Sequence, residues 1–210
     1  MVAVVVAAGL GLRYGGTKPK PTLRILGKAV VAMAVEGLAA GGVTDAVVVI
    51  NGRTSHLFHM ALTGLPIPVI TTPGGDTRQQ SVERGLDVIR NDPRLAEADV
   101  ILVHDAVRPM MPAYVVEDVI KAVRAGAVAV APAVAVTDSI RLVPNGDESE
   151  NSAFDRSKLR AVQTPQGFAA KVLLESHDRM AELGRDFTDD VTACEMNGHS
   201  VTLVPGSRMG

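Results

Sequence analysis

Short, continuous apolar runs alternate with longer stretches of helical periodicity along most of the chain. Val2, Val4, Val5 and Val6 form a β-branched run too short for a helix, the pattern of a strand buried on both faces. Val30 to Ala40 places apolar residues at helical spacing and ends at Gly41-Gly42, a C-cap signal. Val47 to Ile50 predicts a strand, Asn51-Gly52 a turn and Ser55 to Leu62 a short helix. Pro68 to Thr71 predicts a third strand that leads into Pro73-Gly74-Gly75-Asp76. Thr77 to Arg90 reads as a helix, and Val100 to Val103 as a strand that ends in His104-Asp105. Pro112 to Arg124 reads as a helix, with proline accepted in its first turn, and Ala127 to Val130 as a strand. Lys171 to Leu183 and Asp189 to Met196 read as helices, and Val201 to Val204 as the last strand. Apolar strands alternating with helices over short loops predict an α/β fold, a mostly parallel sheet covered on both faces. The 210 residues suit one domain, residues 1–210.

Residues 134 to 163 break this rhythm. VAVTDSIRLV and SKLRAVQT read as two extended segments separated by the polar, acidic PNGDESENSAFD. No helix is available to cover such a hairpin. It predicts a protruding β-arm that either projects into solvent or packs against a second subunit.

Composition narrows the function classes. Hydrophobic residues make up 47% and charged residues 21%, with a formal net charge of -2, so no overall basic surplus draws the chain to nucleic acid or an anionic membrane. Trp is absent and Phe and Tyr are few, which argues against a stacking platform for single strands. No run of 18 or more apolar residues suggests a membrane span, and Val2 opens a strand rather than a signal peptide. A single cysteine, Cys194, excludes an internal disulfide and a Cys metal cluster. It reads as a small buried hydrophobe in a reducing cytoplasm.

Candidate chemistry collects at strand ends, where open α/β sheets place their sites. After the first strand come Ala7, Ala8, Gly9, Gly11, Gly15 and Gly16, small enough for a ligand to approach the backbone, followed by Arg13, Lys18 and Lys20. Bare N–H donors with local cations form a cradle for a polyphosphate; the lesser alternative, taken by the glycines alone, is a surface turn. A dinucleotide fingerprint needs its third glycine one place earlier and a helix beyond, which Pro19 and Pro21 forbid. A P-loop needs Gly-Lys-Ser/Thr, and GGTKPK lacks it. GGDTRQQS, Gly74 to Ser81, reads either as a helix cap with Asp76 in the cap position or as a second gap where backbone groups read a base. Asp105, directly after an apolar strand, is either a cap or a carboxylate facing a triphosphate and a hard cation such as Mg²⁺. His104 reads as a hydrogen-bonded structural residue.

AAGLGLRYGGTKPK resembles the A-A-G-x-G-x-R…P-K signature of sugar-phosphate nucleotidyltransferases, and the rest of the chain is similar to the 2-C-methyl-D-erythritol 4-phosphate cytidylyltransferase family. The resemblance implies a Rossmann-like three-layer sandwich. It also implies transfer of CMP from CTP to a polyol phosphate with release of pyrophosphate. Arg13 and Lys20 fall at the family's Arg and Lys positions and would stabilise the transition state. Ala7, Ala8, Gly9, Gly11, Gly75, Asp76, Arg78, Ser81, Asp105 and Ala106 would surround the nucleotide. Asp105, Arg108, Arg156, Thr164 and Thr188 would face the acceptor, with Arg156 delivered by the arm of a neighbouring chain in a homodimer. Asp105 is the candidate ligand of a divalent cation. Lys18 and Arg160 read as solvated cations, and Val107 stands where the family carries alanine. An anionic acceptor phosphate, whose second pKa is about 6, needs charge neutralisation and in-line positioning rather than a general base. The resemblance ends near Gly206, where the family continues to a second acceptor-positioning lysine and a closing helix. This departure implies a shortened chain or a CTP-binding homologue with impaired turnover. A sister activity toward ribitol 5-phosphate shares all the loops and differs only in the acceptor pocket.

Overall fold

The computed structural model describes residues 1–9, 18–144 and 146–210. In chain order its elements are β1 (Val2–Val6), a small hairpin of β2 (Arg24–Ile25) and β3 (Lys28–Ala29), α1 (Val30–Ala40), β4 (Asp45–Ile50), α2 (Ser55–Ala61), β5 (Val69–Pro73), α3 (Arg78–Asn91), β6 (Val100–Asp105) and α4 (Ala113–Arg124). They continue with β7 (Ala129–Ala135), β8 (Ile140–Leu142), β9 (Ser152–Phe154), β10 (Arg160–Val162), β11 (Gln166–Ala169), α5 (Ala170–Glu182), α6 (Asp190–Met196) and β12 (Val201–Pro205). Among the described residues the main sheet has eight strands in the order β10-β7-β11-β6-β1-β4-β5, with β12 running along β7. Strands β6, β1, β4 and β5 are parallel to one another, whereas β11 runs antiparallel to both β6 and β7.

The period of two along β1 divides the core. Ala3 and Val5 face one side, where Val31, Val35 and Leu38 of α1 pack with Val115 and Val119 of α4. Val2 and Val4 face the other, against Val82, Leu86 and Ile89 of α3, Leu173 of α5 and Cys194 of α6. The result is the expected three-layer sandwich. Gly85 sets the spacing on the second side: an added Cβ would lie 2.5 Å from Val4 Cγ1, so α3 rests on the sheet at a distance no larger residue permits.

Three stretches depart from the sequence pattern. Gln166–Ala169 is a buried strand in the middle of the sheet, hidden from an apolarity count by a glutamine and a glycine. The glycine is required there, because a Cβ on Gly167 would meet Val119 Cγ1 at 2.4 Å. The arm also pairs differently. β8 pairs with β9, which lies inside the stretch expected to be the turn, while Arg160–Val162 joins the main sheet against Val134 and its neighbours. Alternation is too weak in this region to set a register, so tertiary pairing sets it. The last strand before the arm is also longer than expected and continues through Pro132, whose carbonyl accepts the Gln163 N–H at 2.8 Å.

Candidate active site

The carboxyl ends of β1, β4, β5 and β6 open onto one cleft of about 1100 Å³. Its floor is the turn after β1, where Ala7 is buried and donates its N–H to the Val49 carbonyl at 2.8 Å. Among the described residues, a Cβ built on Gly9 would meet nothing within 4 Å, which leaves the backbone there open to a ligand. Lys20 begins a short 3-10 turn, Lys20–Thr22, shaped by Pro19 and Pro21, and lines the same cleft.

The second wall is the Gly74-Gly75 turn. A Cβ on Gly74 would fall 2.4 Å from Ala8 Cβ and 2.8 Å from Ser81 Oγ, so glycine is what lets this turn touch the first. The buried Ser81 hydroxyl accepts the Gly75 N–H at 3.2 Å and donates to the Thr77 carbonyl at 2.9 Å. The cap of α3 is Thr77, not Asp76. Thr77 Oγ1 accepts the Gln80 N–H at 3.1 Å, and Gln80 Oε1 reaches back to the N–H groups of Asp76 and Thr77 at 2.8 and 3.2 Å. This capping box satisfies the helix terminus by itself and leaves the exposed Asp76 carboxylate uncommitted to the helix.

The third wall is the end of β6. Asp105 accepts from Arg78 Nε at 3.3 Å and lies 3.8 Å from Arg108 Nε. Its N–H donates to Thr164 Oγ1 at 3.1 Å. His104, wholly buried beside it, is structural as expected. Its Nε2 can only donate to the Arg108 carbonyl, 3.2 Å away, so Nδ1 accepts the Thr164 hydroxyl at 3.0 Å. Burial pushes this imidazole down from the ordinary 6.5 to about 4.

Ala7, Ala8, Gly9, Lys20, Gly75, Asp76, Arg78, Ser81 and Asp105 thus line one cleft. Arg108 and Thr164 adjoin it through Asp105. Ala106 lies beneath, fully buried, its N–H given to the Val6 carbonyl at 3.1 Å. Arg156 and Thr188 do not line the cleft. Arg156, exposed on the arm, donates to the Thr137 carbonyl, and Thr188 is exposed just before α6. Gly11 and Arg13 lie outside the described residues. Val107, 52% exposed, lines the cleft.

Sequence reading passed over two features. Asn51 and Arg53 line the cleft after β4; their signal was a turn directly following an apolar strand, the same position that singled out the other loops. The second is Asp190, a fully buried carboxylate on α6. Asp190 Oδ2 accepts from Arg78 Nη1 at 2.9 Å, and Oδ1 accepts from His177 Nε2 at 3.1 Å. Burial pushes the Asp190 carboxyl up, but the His177 hydrogen bond and the Arg78 charge outweigh it and hold the group below the usual carboxylate range.

The sequence profile of the 2-C-methyl-D-erythritol 4-phosphate cytidylyltransferase family matches residues 1–210. The chain is 37% identical over 214 residues to the enzyme of that name from Streptomyces coelicolor, covering 97% of this chain and 76% of that one. It is 39% identical over 207 residues to the one from Saccharopolyspora erythraea, covering 98% and 90%. The crystal structure of the Thermus thermophilus enzyme of the same name superposes with a TM-score of 0.79 at 27% identity, covering 99% and 89%.

Proposed function

The chain belongs to the 2-C-methyl-D-erythritol 4-phosphate cytidylyltransferase family, and from that premise we propose the reaction its cleft performs. CTP binds across the ends of β1, β5 and β6. A phosphate oxygen of 2-C-methyl-D-erythritol 4-phosphate attacks the α-phosphorus, the bond to the β-phosphate oxygen breaks, and pyrophosphate leaves. The product serves non-mevalonate isoprenoid synthesis.

The observation that carries this reading is the convergence of the two glycine turns, Lys20 and Asp105 on one cleft. Open backbone at Gly9, with the tight Gly74-Gly75 turn facing it across the cleft, suits the sugar and base. Lys20, with Arg13 on the adjoining segment, would neutralise charge that builds on the triphosphate in the transition state. The acceptor phosphate is already largely anionic near neutral pH, because its second pKa is about 6. His104 takes no part in proton transfer on this reading, since both its ring nitrogens are occupied inside the core. Asp105 and Arg108, with Thr164 behind them, would orient the acceptor.

Among the described residues no cluster of three or more His, Cys, Asp or Glu side chains could hold a metal. Mg²⁺ can be held by one or two carboxylates, with phosphates and water as its other ligands, and Asp105 offers a carboxylate on the cleft wall. Asp105 would be the protein ligand, and the ion when bound would neutralise the triphosphate. We assign the arm to a homodimer, on the grounds that Leu142 and Phe154 are 49% and 39% exposed on it and that Arg156 does not line its own cleft. Among the described residues no helix is long and apolar enough to cross a membrane, and the unpaired, buried Cys194 suits a reducing cytoplasm.

The test is pyrophosphate release from CTP with Mg²⁺ and 2-C-methyl-D-erythritol 4-phosphate, with ribitol 5-phosphate in parallel. Release with the first acceptor is expected. Release with ribitol 5-phosphate alone, or with neither, would overturn the reading.

A further inference from the structure

From the buried contacts of α6 we infer that Asp190 is a positioning residue for the nucleotide cleft, acting through Arg78. The inference rests on the reading of the cleft as the CTP site and deepens it. Asp190 is completely buried, nearly 30 positions beyond the end of the arm, yet its carboxylate holds a guanidinium that lines the cleft. Arg78 is the bridge. Nη1 is committed to Asp190 at 2.9 Å and Nε to Asp105 at 3.3 Å, so one planar fork is fixed at two points and the side chain cannot swing.

The anchor is itself braced. Ionised Asp190 has no proton to give, so His177 Nε2 donates to it, and the His177 ring meets Phe187 edge-on at 5.1 Å. On the other flank, Gln166 accepts the Val191 N–H at 3.1 Å and donates to Asp189 Oδ2 at 3.0 Å, which ties the start of α6 to the buried strand β11. The start of α6, braced by β11, is thereby tied to the first residue of α3. A buried carboxylate requires a charge partner; here the partner is a residue of the cleft, and fixing it prepares the cleft before a ligand arrives. Without Asp190, Arg78 would keep only Asp105 as an ionic partner among the described residues and would draw that carboxylate out of position.

The experiment is a double-mutant cycle of Asp190→Asn and Arg78→Met, read on kcat and on the KM for CTP and for the acceptor. Asp190→Asn should raise the KM for CTP roughly tenfold, the loss of one charge-assisted hydrogen bond, with a smaller change in the acceptor KM. In the Arg78→Met background the same change should have an effect of under about twofold. Multiplying effects in the double variant, or an Asp190→Asn enzyme with unaltered CTP KM, would overturn the inference. If Asp190→Asn does not fold, His177→Gln weakens the same anchorage and goes through the same cycle with the same criteria. If the wild-type chain does not turn over, the reading of the reaction fails, and the cycle is read instead on the CTP dissociation constant, with the same criteria.

Discussion

Acidification should destabilise this fold through His104. Both ring nitrogens are spoken for in the core: Nε2 donates to the Arg108 carbonyl and Nδ1 accepts the Thr164 hydroxyl. A proton added at Nδ1 would set two donors against each other and place a charge in the core. Burial accordingly lowers the pKa from 6.5 to about 4, against the pull of Asp105 in the opposite direction. The unfolded chain therefore binds a proton as pH falls through about 6.5, while the folded chain stays neutral until about 4. Within that window the unfolded state carries more protons, so stability falls as pH falls, and the contribution is fully lost below it. At about 1.4 kcal/mol per unit the whole loss approaches about 3.5 kcal/mol, of which about 2 kcal/mol should appear between about pH 7 and about pH 5. Urea unfolding in EDTA of the wild type and His104→Gln across this range isolates the effect, because carboxylates titrate alike in both. The wild-type advantage should shrink by about 2 kcal/mol. A difference that stays constant, or that grows in favour of the wild type in acid, would refute the argument.

Lys20→Ala should lower kcat for pyrophosphate release on the order of 100-fold, comparable to loss of an oxyanion-hole donor, while the urea midpoint stays near that of the wild type. Gly85→Val should lower stability by about 2 kcal/mol through overpacking, because the first carbon added already lies 2.5 Å from Val4 Cγ1; a thermal melt reads it. Thr77→Ala removes the capping box that orders Asp76 and Gln80 and should cost about 1 kcal/mol in stability together with a raised KM for CTP, read by steady-state kinetics.

The local pattern of this chain carried most of its secondary structure and the address of the cleft. β-Branched runs such as Val2–Val6 bury both faces and need no distant partner to be recognised as strands, and the helix Val30–Ala40 appears with the bounds its periodicity and Gly41-Gly42 set. Glycines and charges directly after those strands marked the cleft, because a parallel sheet brings its carboxyl ends to one edge whatever the loops contain. Asp76 against Thr77 as the cap of α3 turned on whether Gln80 would reach back, which spacing permits and only side-chain geometry decides. The strand Gln166–Ala169, the split pairing of the arm and the bond between Asp190 and Arg78 lay beyond the sequence, for one reason. Each depends on residues many positions apart: Gly167 needs Val119, Arg160–Val162 need Val134, and a buried carboxylate on α6 needs a guanidinium 112 positions earlier. A one-dimensional pattern records the burial of a residue with its neighbours in the chain; which charge will stand opposite it in the core is decided when the sheet closes.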